Sequence, residues 1–227
     1  MNRFLKRLMD IACSSFALLV LSPLLIASAI IIKLSSKGPV FYKASRAGID
    51  GKPFYMYKFR SMHIEKNAVE KSFIADSDRI FAFGGFMRKS KIDELPQLIN
   101  ILKGDMSIVG PRPASTANVD ELYVGEYKNI QRVKPGLTSY ASLFDYKFGE
   151  LFISDNDRYI REILPVRLDL ELYYTRVWNI FKDIGLIANT VVVILQIVFG
   201  KKTFRYTALE SRFVEEAAAK KECLEVG

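Results

Sequence analysis

Cysteine and histidine are scarce in this sequence of 227 residues, and their scarcity excludes several kinds of protein. Cys13 and Cys223 are the only cysteines, which excludes a disulfide scaffold and a cysteine-based zinc site. His63 is the only histidine, which argues against Ser–His–Asp hydrolysis, a multi-histidine metal site and a facial triad, although His63 can still act alone. Glycine and proline number 13 and 8, ordinary levels that exclude a collagen-like or linker protein.

The sequence has instead a large apolar fraction and an excess of positive charge. Hydrophobic residues make up 50% of the chain, which excludes a disordered polymer and is enough for a sizeable core. The length is typical of one or at most two domains. With 33 Lys and Arg against 25 Asp and Glu, the net charge is +8. Such an excess indicates phosphate-rich partners, namely nucleic acid, nucleotides or an anionic membrane surface.

Residues 11–32 form an uncharged apolar run near the N-terminus. A helix of that length covers about 33 Å, enough to cross a bilayer core of about 30 Å. A secretory signal peptide is one interpretation, but the run is too long for it. In addition, Ala27, Ser28 and Ala29 are followed by three isoleucines and not by a polar mature start.

Two features of the run favour a re-entrant helix, which enters the membrane and returns to the same face. Ser22 and Pro23 lie at its centre, where proline removes a backbone hydrogen bond and kinks a helix. Positive charge flanks both ends, so the positive-inside rule places both ends in the cytoplasm. The flanking cations are Arg3, Lys6, Arg7, Lys33 and Lys37. A kinked helix that crosses the membrane remains the alternative.

The rest of the chain predicts an α/β fold that is rich in helix and has short strands. Strands are expected at residues 39–42 and 53–58, and a short polar helix or loop at 65–71. Helices are expected at 93–103, where Leu95, Leu98, Ile99 and Leu102 share a face and Gly104 ends the helix, and at 117–134 and 157–178. An apolar helix at 184–199 is expected at the membrane interface or against the membrane segment, and a charged, solvated helix at 209–225. The expected units are a membrane-anchoring segment (1–36), a small catalytic domain with interfacial amphipathic helices (37–200) and a charged tail (201–227).

The segment DELPQ (residues 93–97) is the first candidate for chemistry. Pro96 fits only the first turn of a helix, so the helix is expected to begin at about Asp93, with Asp93 and Glu94 at its positive end. Asp93 can be a simple N-cap. However, two adjacent carboxylates close to Arg88, Lys89 and Lys91 can also bind Mg²⁺ or attack phosphorus while the cations hold phosphate oxygens.

Two further basic segments can hold phosphate. In GPRP (residues 110–113) two prolines stiffen the loop around Arg112, which can present its guanidinium to a phosphate or simply be a solvated turn residue. In KFRSM (residues 58–62) strand alternation places Lys58 and Arg60 on one face, which can equally be a solvated face.

Taken together and in order, these segments resemble those of the bacterial sugar transferases, the monotopic phosphoglycosyl transferases that act on polyprenyl phosphate. The resemblance runs from about residue 3 to about residue 190, and DELPQ and GPRP are its most specific parts. The segments that carry it are Lys6-Arg7 with Asp10, Ser22-Pro23, KFRSM (58–62), DELPQ (93–97), KGDMS (103–107), GPRP (110–113) and KPGLT (134–138).

The resemblance implies a reaction. Members of the family transfer a sugar 1-phosphate from a UDP-sugar to a polyprenyl phosphate such as undecaprenyl phosphate, and they release UMP. They require Mg²⁺ and begin surface-glycan synthesis at the cytoplasmic face of the bacterial inner membrane. By motif position, Asp93 would be the nucleophile that receives the phosphosugar, and Glu94 would assist at the metal and in proton handling. Arg88 and Arg112 would hold phosphate, with Lys58 and Arg60 as weaker candidates.

Two positions qualify the resemblance. Asp169 matches an acidic position of the family for which no role is assigned. After KPGLT many relatives continue to an Asn/Ser-Gly-Arg turn, whereas this chain continues with SYASLFDY (139–146) and lacks that arginine. This difference leaves the chemistry intact but bears on contacts to sugar and nucleotide.

Two other classes of protein are compatible with part of the sequence. A non-catalytic membrane protein that binds anionic lipid explains the charge and the apolar run, but not the pair Asp93 and Glu94 beside Arg88. A nucleic-acid binder is hard to reconcile with an N-terminal apolar run, so no nucleic-acid partner is expected. The expected partners are a UDP-sugar, polyprenyl phosphate and membrane lipid, and a homo-oligomer is allowed.

Overall fold

We describe a computed structural model of the chain, which gives the structure of residues 3–64, 77–149 and 153–225, with side chains to residue 219. The structure is 65% helical with short strands and a long apolar N-terminal helix, which confirms the predicted helix-rich α/β class. The polar segment predicted at residues 65–71 lies outside the described residues. The elements in chain order are α1 (Arg3–Ser35), β1 (Phe41–Ala47), a 3₁₀ turn (Ile49–Gly51), β2 (Pro53–Phe59), a 3₁₀ turn (Ser77–Arg79), α2 (Ala82–Ser90), a 3₁₀ turn (Ile92–Glu94), α3 (Gln97–Lys103), β3 (Ser107–Val109), α4 (Val119–Leu122), a 3₁₀ segment (Gly125–Arg132), β4 (Gly136–Thr138), α5 (Tyr140–Phe148), α6 (Asn156–Arg158), a π turn (Tyr159–Ile163), α7 (Leu164–Val177), α8 (Ile180–Val198) and α9 (Ala208–Glu225).

Helix α1 contains the whole apolar run and keeps Pro23 within it. Proline has no N–H to donate to the carbonyl of Leu19, four residues earlier. The hydroxyl of Ser22 donates to that carbonyl instead, at 2.8 Å, which satisfies the acceptor that proline would otherwise leave free. Ser22 and Pro23 therefore act together within α1.

One face of α1 packs on the protein and the opposite face is apolar and exposed. The packed face includes Asp10, which accepts hydrogen bonds from the Ser107 hydroxyl and the Ile108 N–H, both at 2.9 Å. Arg7 donates to the carbonyl oxygens of Ile101 and Leu102 at the end of α3. These bonds fix the start of α1 against α3 and β3.

Helix α8 is also long and apolar, and begins four residues earlier than predicted. Asn179 caps it by accepting the N–H of Lys182. Asp183 is fully buried and binds Lys6 at 2.5 Å and the Tyr174 hydroxyl at 2.9 Å. By length and composition, α1 and α8 are the two candidate membrane spans among the described residues.

The strands form two small sheets. Strands β1 and β2 pair antiparallel, with Tyr42 opposite Lys58, Ala44 opposite Met56 and Arg46 opposite Phe54, so the predicted strands are present and β1 continues to Ala47. Strands β3 and β4 pair parallel. At the end of this pair a Cβ on Gly136 would lie 2.0 Å from the backbone N of Gly110, so this close approach requires glycine.

Three hydrophobic clusters hold the elements together. One lies between α5, α7 and α9 and includes Phe144, Leu170 and Phe213, and another joins β2, α3, β3 and α8. The third packs Ile32 near the end of α1 with Met87 and Ile92, directly beside the turn Ile92–Glu94. The end of α1 and the DELPQ segment therefore share one core.

The helix predicted at residues 93–103 differs from the observed one. Residues Ile92–Glu94 form a separate 3₁₀ turn, and α3 begins at Gln97. Because Pro96 has no N–H, the Ile92 carbonyl accepts from the N–H of Leu95 instead, which closes a tighter turn. Gly104 ends α3 with φ 92°, as predicted.

The predicted apolar face of this helix is also wrong in part. Ile99 is exposed, while Asn100 and Ile101 are buried. The Asn100 side chain bonds the backbone of Tyr55 and Tyr57 in β2, so contact with a strand buries a polar residue that periodicity assigns to the surface.

Two other predicted helices need correction. Residues 117–134 form only α4 and a 3₁₀ segment, because Val124 is extended and Gly125 has φ 54°, which interrupts a helix between them. The helix at 209–225 is present as α9, but it is not simply solvated. Phe213 is buried in the core and Glu210 is buried in an ion pair with Lys147.

Candidate active site

The turn Ile92–Glu94 carries the two adjacent carboxylates. Lys91, with φ 57°, ends α2 in the left-handed conformation and redirects the chain into this turn. Asp93 is 4% exposed and Glu94 is 3% exposed, although both residue types usually lie on the surface. The sequence predicted that Asp93 and Glu94 lie at the positive end of a helix dipole. This prediction is wrong, because α3 begins at Gln97 and the two carboxylates precede it.

Glu94 is bound by two cations. Its Oε1 accepts from Lys58 at 2.9 Å and from Arg112 at 3.0 Å. Burial alone would raise the pKa of Glu94, but Arg112 and Lys58 hold that pKa well below its usual value. Glu94 is therefore an ionised carboxylate that positions both cations. Lys58 comes from β2 and Arg112 from the GPRP loop, so three of the segments that the sequence singled out meet here.

Asp93 has a different environment. Its Oδ1 atom is buried and has no hydrogen-bond partner among the described residues. Burial raises the pKa of Asp93, and Glu94 adds to the increase, while Lys58, Lys91 and Arg88 oppose it. A buried carboxylate oxygen without a partner is costly, and such a group indicates a ligand or catalytic role.

The structure brings some of the other predicted phosphate-binding residues to this site. Arg88, in the last turn of α2, is one of the cations that act on Asp93. Arg60 is not brought there. It donates to the Pro39 carbonyl at 2.7 Å and to the Ser36 hydroxyl and carbonyl at 2.6 and 2.8 Å. Because β2 ends at Phe59, strand alternation no longer governs Arg60, which clamps the segment after α1.

Two more residues belong to the site: Gln97, the last residue of DELPQ, for which no role was predicted, and Lys91, one of the cations predicted to lie close to the carboxylates. Gln97 is 2% exposed and its Nε2 atom has no partner among the described residues. It lies four residues after Asp93, and helical spacing could have indicated it. Lys91 is buried and lies 4.2 Å from the ring centre of Tyr146. Its position depends on a left-handed backbone that the sequence does not reveal.

Asp169 lies on α7 and accepts a hydrogen bond from Tyr127 at 2.7 Å. Its neighbours around a cavity of about 220 Å³ include Arg176, Arg212 and Phe213. Asp93 and Glu94 do not line this cavity.

The arrangement has the chemistry of phosphate binding. Around Asp93 and Glu94 lie four cations, namely Lys58, Arg88, Lys91 and Arg112, so positive charge exceeds negative charge. Among the residues whose structure is given, no three His, Cys, Asp or Glu side chains form a metal-binding group. A divalent cation would therefore need oxygen ligands from a substrate in addition to Asp93 and Glu94.

The fold and the site together define a protein with two long apolar helices and a buried pair of carboxylates among four cations. The profile of the family described as bacterial sugar transferase matches residues 1–197. The chain belongs to the bacterial sugar transferase family, which confirms the resemblance drawn from the motifs.

Several characterised proteins are similar to this chain. A UDP-glucose:undecaprenyl-phosphate glucose-1-phosphate transferase of Escherichia coli (strain K12) is 39% identical over 193 residues, which are 84% of this chain and 40% of that protein. A UDP-N-acetylgalactosamine-undecaprenyl-phosphate N-acetylgalactosaminephosphotransferase of Aeromonas hydrophila is 36% identical, over 85% of this chain and 44% of that protein.

The lengths of the relatives differ. The chain spans about 40% of the Escherichia coli relative. It covers 85% of an uncharacterized sugar transferase, EpsL, of Bacillus subtilis (strain 168), with 35% identity over 82% of this chain.

Proposed function

We propose that this protein transfers a sugar 1-phosphate from a UDP-sugar to a polyprenyl phosphate, such as undecaprenyl phosphate, and releases UMP. The reaction would be the first membrane step of surface-glycan or glycoconjugate synthesis, at the cytoplasmic face of the bacterial inner membrane. The names of the relatives support the general reaction. The observation that carries the proposal is the buried Oδ1 of Asp93, which has no hydrogen-bond partner in the described part of the chain and lies among cations suited to phosphate.

In the first step, a carboxylate oxygen of Asp93 attacks the phosphorus that bears the sugar. The bond from that phosphorus to the bridging oxygen breaks, and the electron pair leaves with UMP. Arg88 and Lys91 stabilise charge around the reacting phosphorus. In the second step, an oxygen of the lipid phosphate attacks the same phosphorus and releases the Asp93 carboxylate. Direct attack by the lipid phosphate, without a covalent intermediate, is the alternative.

The residues present fit Mg²⁺ in this role. Mg²⁺ is commonly held by one or two carboxylates together with substrate phosphates, and Asp93 offers an oxygen without a partner beside Glu94. Asp93 and Glu94 would hold the ion, which when bound would neutralise charge on the phosphates. Arg112 and Lys58 keep Glu94 ionised for this purpose.

We also propose that α1 is re-entrant and that α8 lies at the membrane interface. A straight helix would separate Arg7 from Ser36 by more than about 40 Å, the scale of a whole bilayer. However, Arg7 is bound to the end of α3 and Ser36 to Arg60 after β2, and Tyr57 of β2 is hydrogen-bonded to Asn100 of α3. Attachment of both ends to neighbouring elements of one domain supports a return to the same face.

The proposal is tested by incubating the purified protein with polyprenyl phosphate, Mg²⁺ and each member of a panel of UDP-sugars, and measuring UMP. We expect UMP from at least one UDP-sugar, and none from Asp93→Asn. The matched control is Asp157→Asn, an exposed aspartate away from the site, which should release UMP like the unmodified protein. If no UDP-sugar yields UMP, the non-catalytic lipid-binding alternative is favoured.

A further inference from the structure

Arg46 lies on the same face of the β1–β2 hairpin as Lys58. Strand pairing sets Tyr42 opposite Lys58 and Arg46 opposite Phe54, with the pair Ala44 and Met56 between them. Ala44 and Met56 are buried, so this face of the hairpin is turned inward. Near the C-terminal end of β1, the backbone of Arg46 also forms an isolated antiparallel β-bridge with Ser115, which lies three residues after Arg112. Arg46 is therefore held where the hairpin meets the GPRP loop.

The Arg46 side chain has no partner among the residues that the structure describes. Its Nε atom is buried and makes no hydrogen bond. Other buried or half-buried arginines nearby are paired. Arg60 is bonded to Ser36 and Pro39, Arg112 binds Glu94, and Arg167 binds Asp145 and Glu171. A buried guanidinium nitrogen without a hydrogen-bond partner is costly, and the fold retains it here.

Two arginines are among the groups that act on Arg46. Burial lowers the pKa of Arg46, Arg112 and Arg167 lower it further, and Tyr42 and Glu94 act in the opposite direction. Glu94 is already bound by Lys58 and Arg112, and among the described residues no carboxylate forms an ion pair with Arg46. Arg112 lies close enough to act on Arg46, and two guanidinium groups near each other match the charge of a phosphate.

Arg46 lies on the Glu94 and Arg112 side of the site, since the cations that act on Asp93 are Lys58, Lys91 and Arg88. We propose that Arg46, together with Arg112, binds a second phosphate group beside the one that Asp93 receives. The source of that phosphate is either the nucleotide-side phosphate of the donor or the phosphate of the lipid acceptor. The choice of these two sources rests on the proposed function.

The test compares Arg46→Met, which keeps the length of the side chain and removes its charge, with Arg46→Lys, which restores the charge. The control is Arg158→Met, an arginine that is more than half exposed and lies away from the site. For each detergent-purified protein we measure Tm without ligand, and affinities for UDP, inorganic pyrophosphate and farnesyl phosphate by calorimetry. None of these measurements requires turnover.

For Arg46→Met we expect an unchanged or higher Tm, because an unpaired buried charge is removed, and at least about tenfold weaker binding of phosphate. Weaker binding of UDP and pyrophosphate identifies the donor as the source, whereas weaker binding of farnesyl phosphate alone identifies the acceptor. Arg46→Lys should recover part of the affinity, and Arg158→Met should bind as the unmodified protein does.

Unchanged affinity of Arg46→Met for all three ligands would overturn the proposal. A lower Tm with weaker binding would also overturn it unless Arg46→Lys restores the affinity, since a purely structural role is the simpler account. Failure of the proposed function can be distinguished from failure of this proposal. The proposed function fails if the unmodified protein releases no UMP, whereas the role of Arg46 is decided by the ligand affinities.

Discussion

At the residue scale, Asp93 and Glu94 are neighbours in the chain with opposite environments. Glu94 is bound by Lys58 and Arg112, whereas Oδ1 of Asp93 has no partner among the described residues. The same turn therefore holds one carboxylate that organises cations and one that keeps an oxygen without a partner in the described part of the chain. A buried oxygen without a partner lowers the stability of the fold, which indicates that the site is complete only with a ligand.

The two carboxylates should respond oppositely to neutralisation in the ligand-free, metal-free protein at neutral pH. Asp93→Asn removes a buried charge without a partner and should raise Tm by a few degrees, which corresponds to about 1 kcal/mol. Glu94→Gln leaves Lys58 and Arg112 without their carboxylate and should lower Tm by at least as much. Thermal unfolding of both variants, with Asp157→Asn as control, measures this, and shifts of the same sign would contradict the assignment.

The pH dependence follows from the direction of each shift. The pKa of Asp93 is raised above its ordinary 3.8, so the fold favours the protonated form; that contribution to stability is full below pH 3.8 and is lost as pH rises through the raised pKa. The pKa of Glu94 is lowered, so its contribution is present above its ordinary 4.5 and is lost as pH falls through the lowered value. In the proposed mechanism only ionised Asp93 attacks, so UMP release should decrease as the pH is lowered through the raised pKa of Asp93, and the decrease should begin above pH 3.8. A pH–rate profile with no such decrease would refute the role of Asp93.

The proposed metal gives a further prediction for these residues. Chelation with EDTA should abolish UMP release, and Mg²⁺ should restore it, because Asp93 and Glu94 have the oxygen ligands that this ion prefers. The measurement is UMP release with EDTA and with a subsequent excess of MgCl₂. Undiminished release in EDTA would show that the cations of the site act alone.

At the element scale, α1 is a candidate membrane helix that contacts the site directly. Its start is bonded to α3 and β3, and Ile32 near its end packs with Met87 and Ile92 beside the carboxylates. Between these contacts, Ser22 supplies the hydrogen bond that Pro23 cannot make. A bend at Ser22 and Pro23 is therefore compatible with a satisfied backbone.

The topology of α1 can be tested with single cysteines at its two ends. In a background with Cys13 and Cys223 replaced by serine, Phe4→Cys and Lys37→Cys should both resist a membrane-impermeant thiol reagent applied outside spheroplasts. Both should react in inverted membrane vesicles, because a re-entrant helix keeps both ends in the cytoplasm. Replacing Ser22 and Pro23 by leucine should straighten the helix and expose one end outside. External labelling of Phe4→Cys in the otherwise unmodified helix would exclude re-entry.

Particular elements show how far the sequence predicts the structure. The motifs identified the residues that meet at Glu94, because charge type and chain order are properties of the sequence. The predicted first residue of α3 was wrong. Because Pro96 has no N–H, the Ile92 carbonyl accepts the N–H of Leu95 instead, and α3 begins only at Gln97. Strand alternation predicted that Arg60 shares a face with Lys58. However, β2 ends at Phe59, so strand alternation does not apply to Arg60. Arg46 could not be singled out, because its lack of a partner depends on tertiary packing.

At the scale of the whole molecule, two apolar helices and a net charge of +8 accompany a site that holds more positive than negative charge. Exposed apolar side chains on α1 and α8, such as Leu19 and Phe181, suit contact with lipid, and the cations suit phosphate. In the proposed reaction, a water-soluble phosphosugar donor and a membrane-bound acceptor would meet at one carboxylate.

The covalent role of Asp93 is the central claim, and the mass of the protein tests it most directly. The purified protein is incubated with its UDP-sugar and Mg²⁺ without polyprenyl phosphate, and intact mass and peptide mass are recorded together with UMP. We expect close to one UMP released per active protein and a mass increase of one phosphosugar mapped to Asp93, both absent in Asp93→Asn. Turnover with acceptor, but neither UMP nor added mass without it, would contradict the covalent route and favour direct attack by the lipid phosphate.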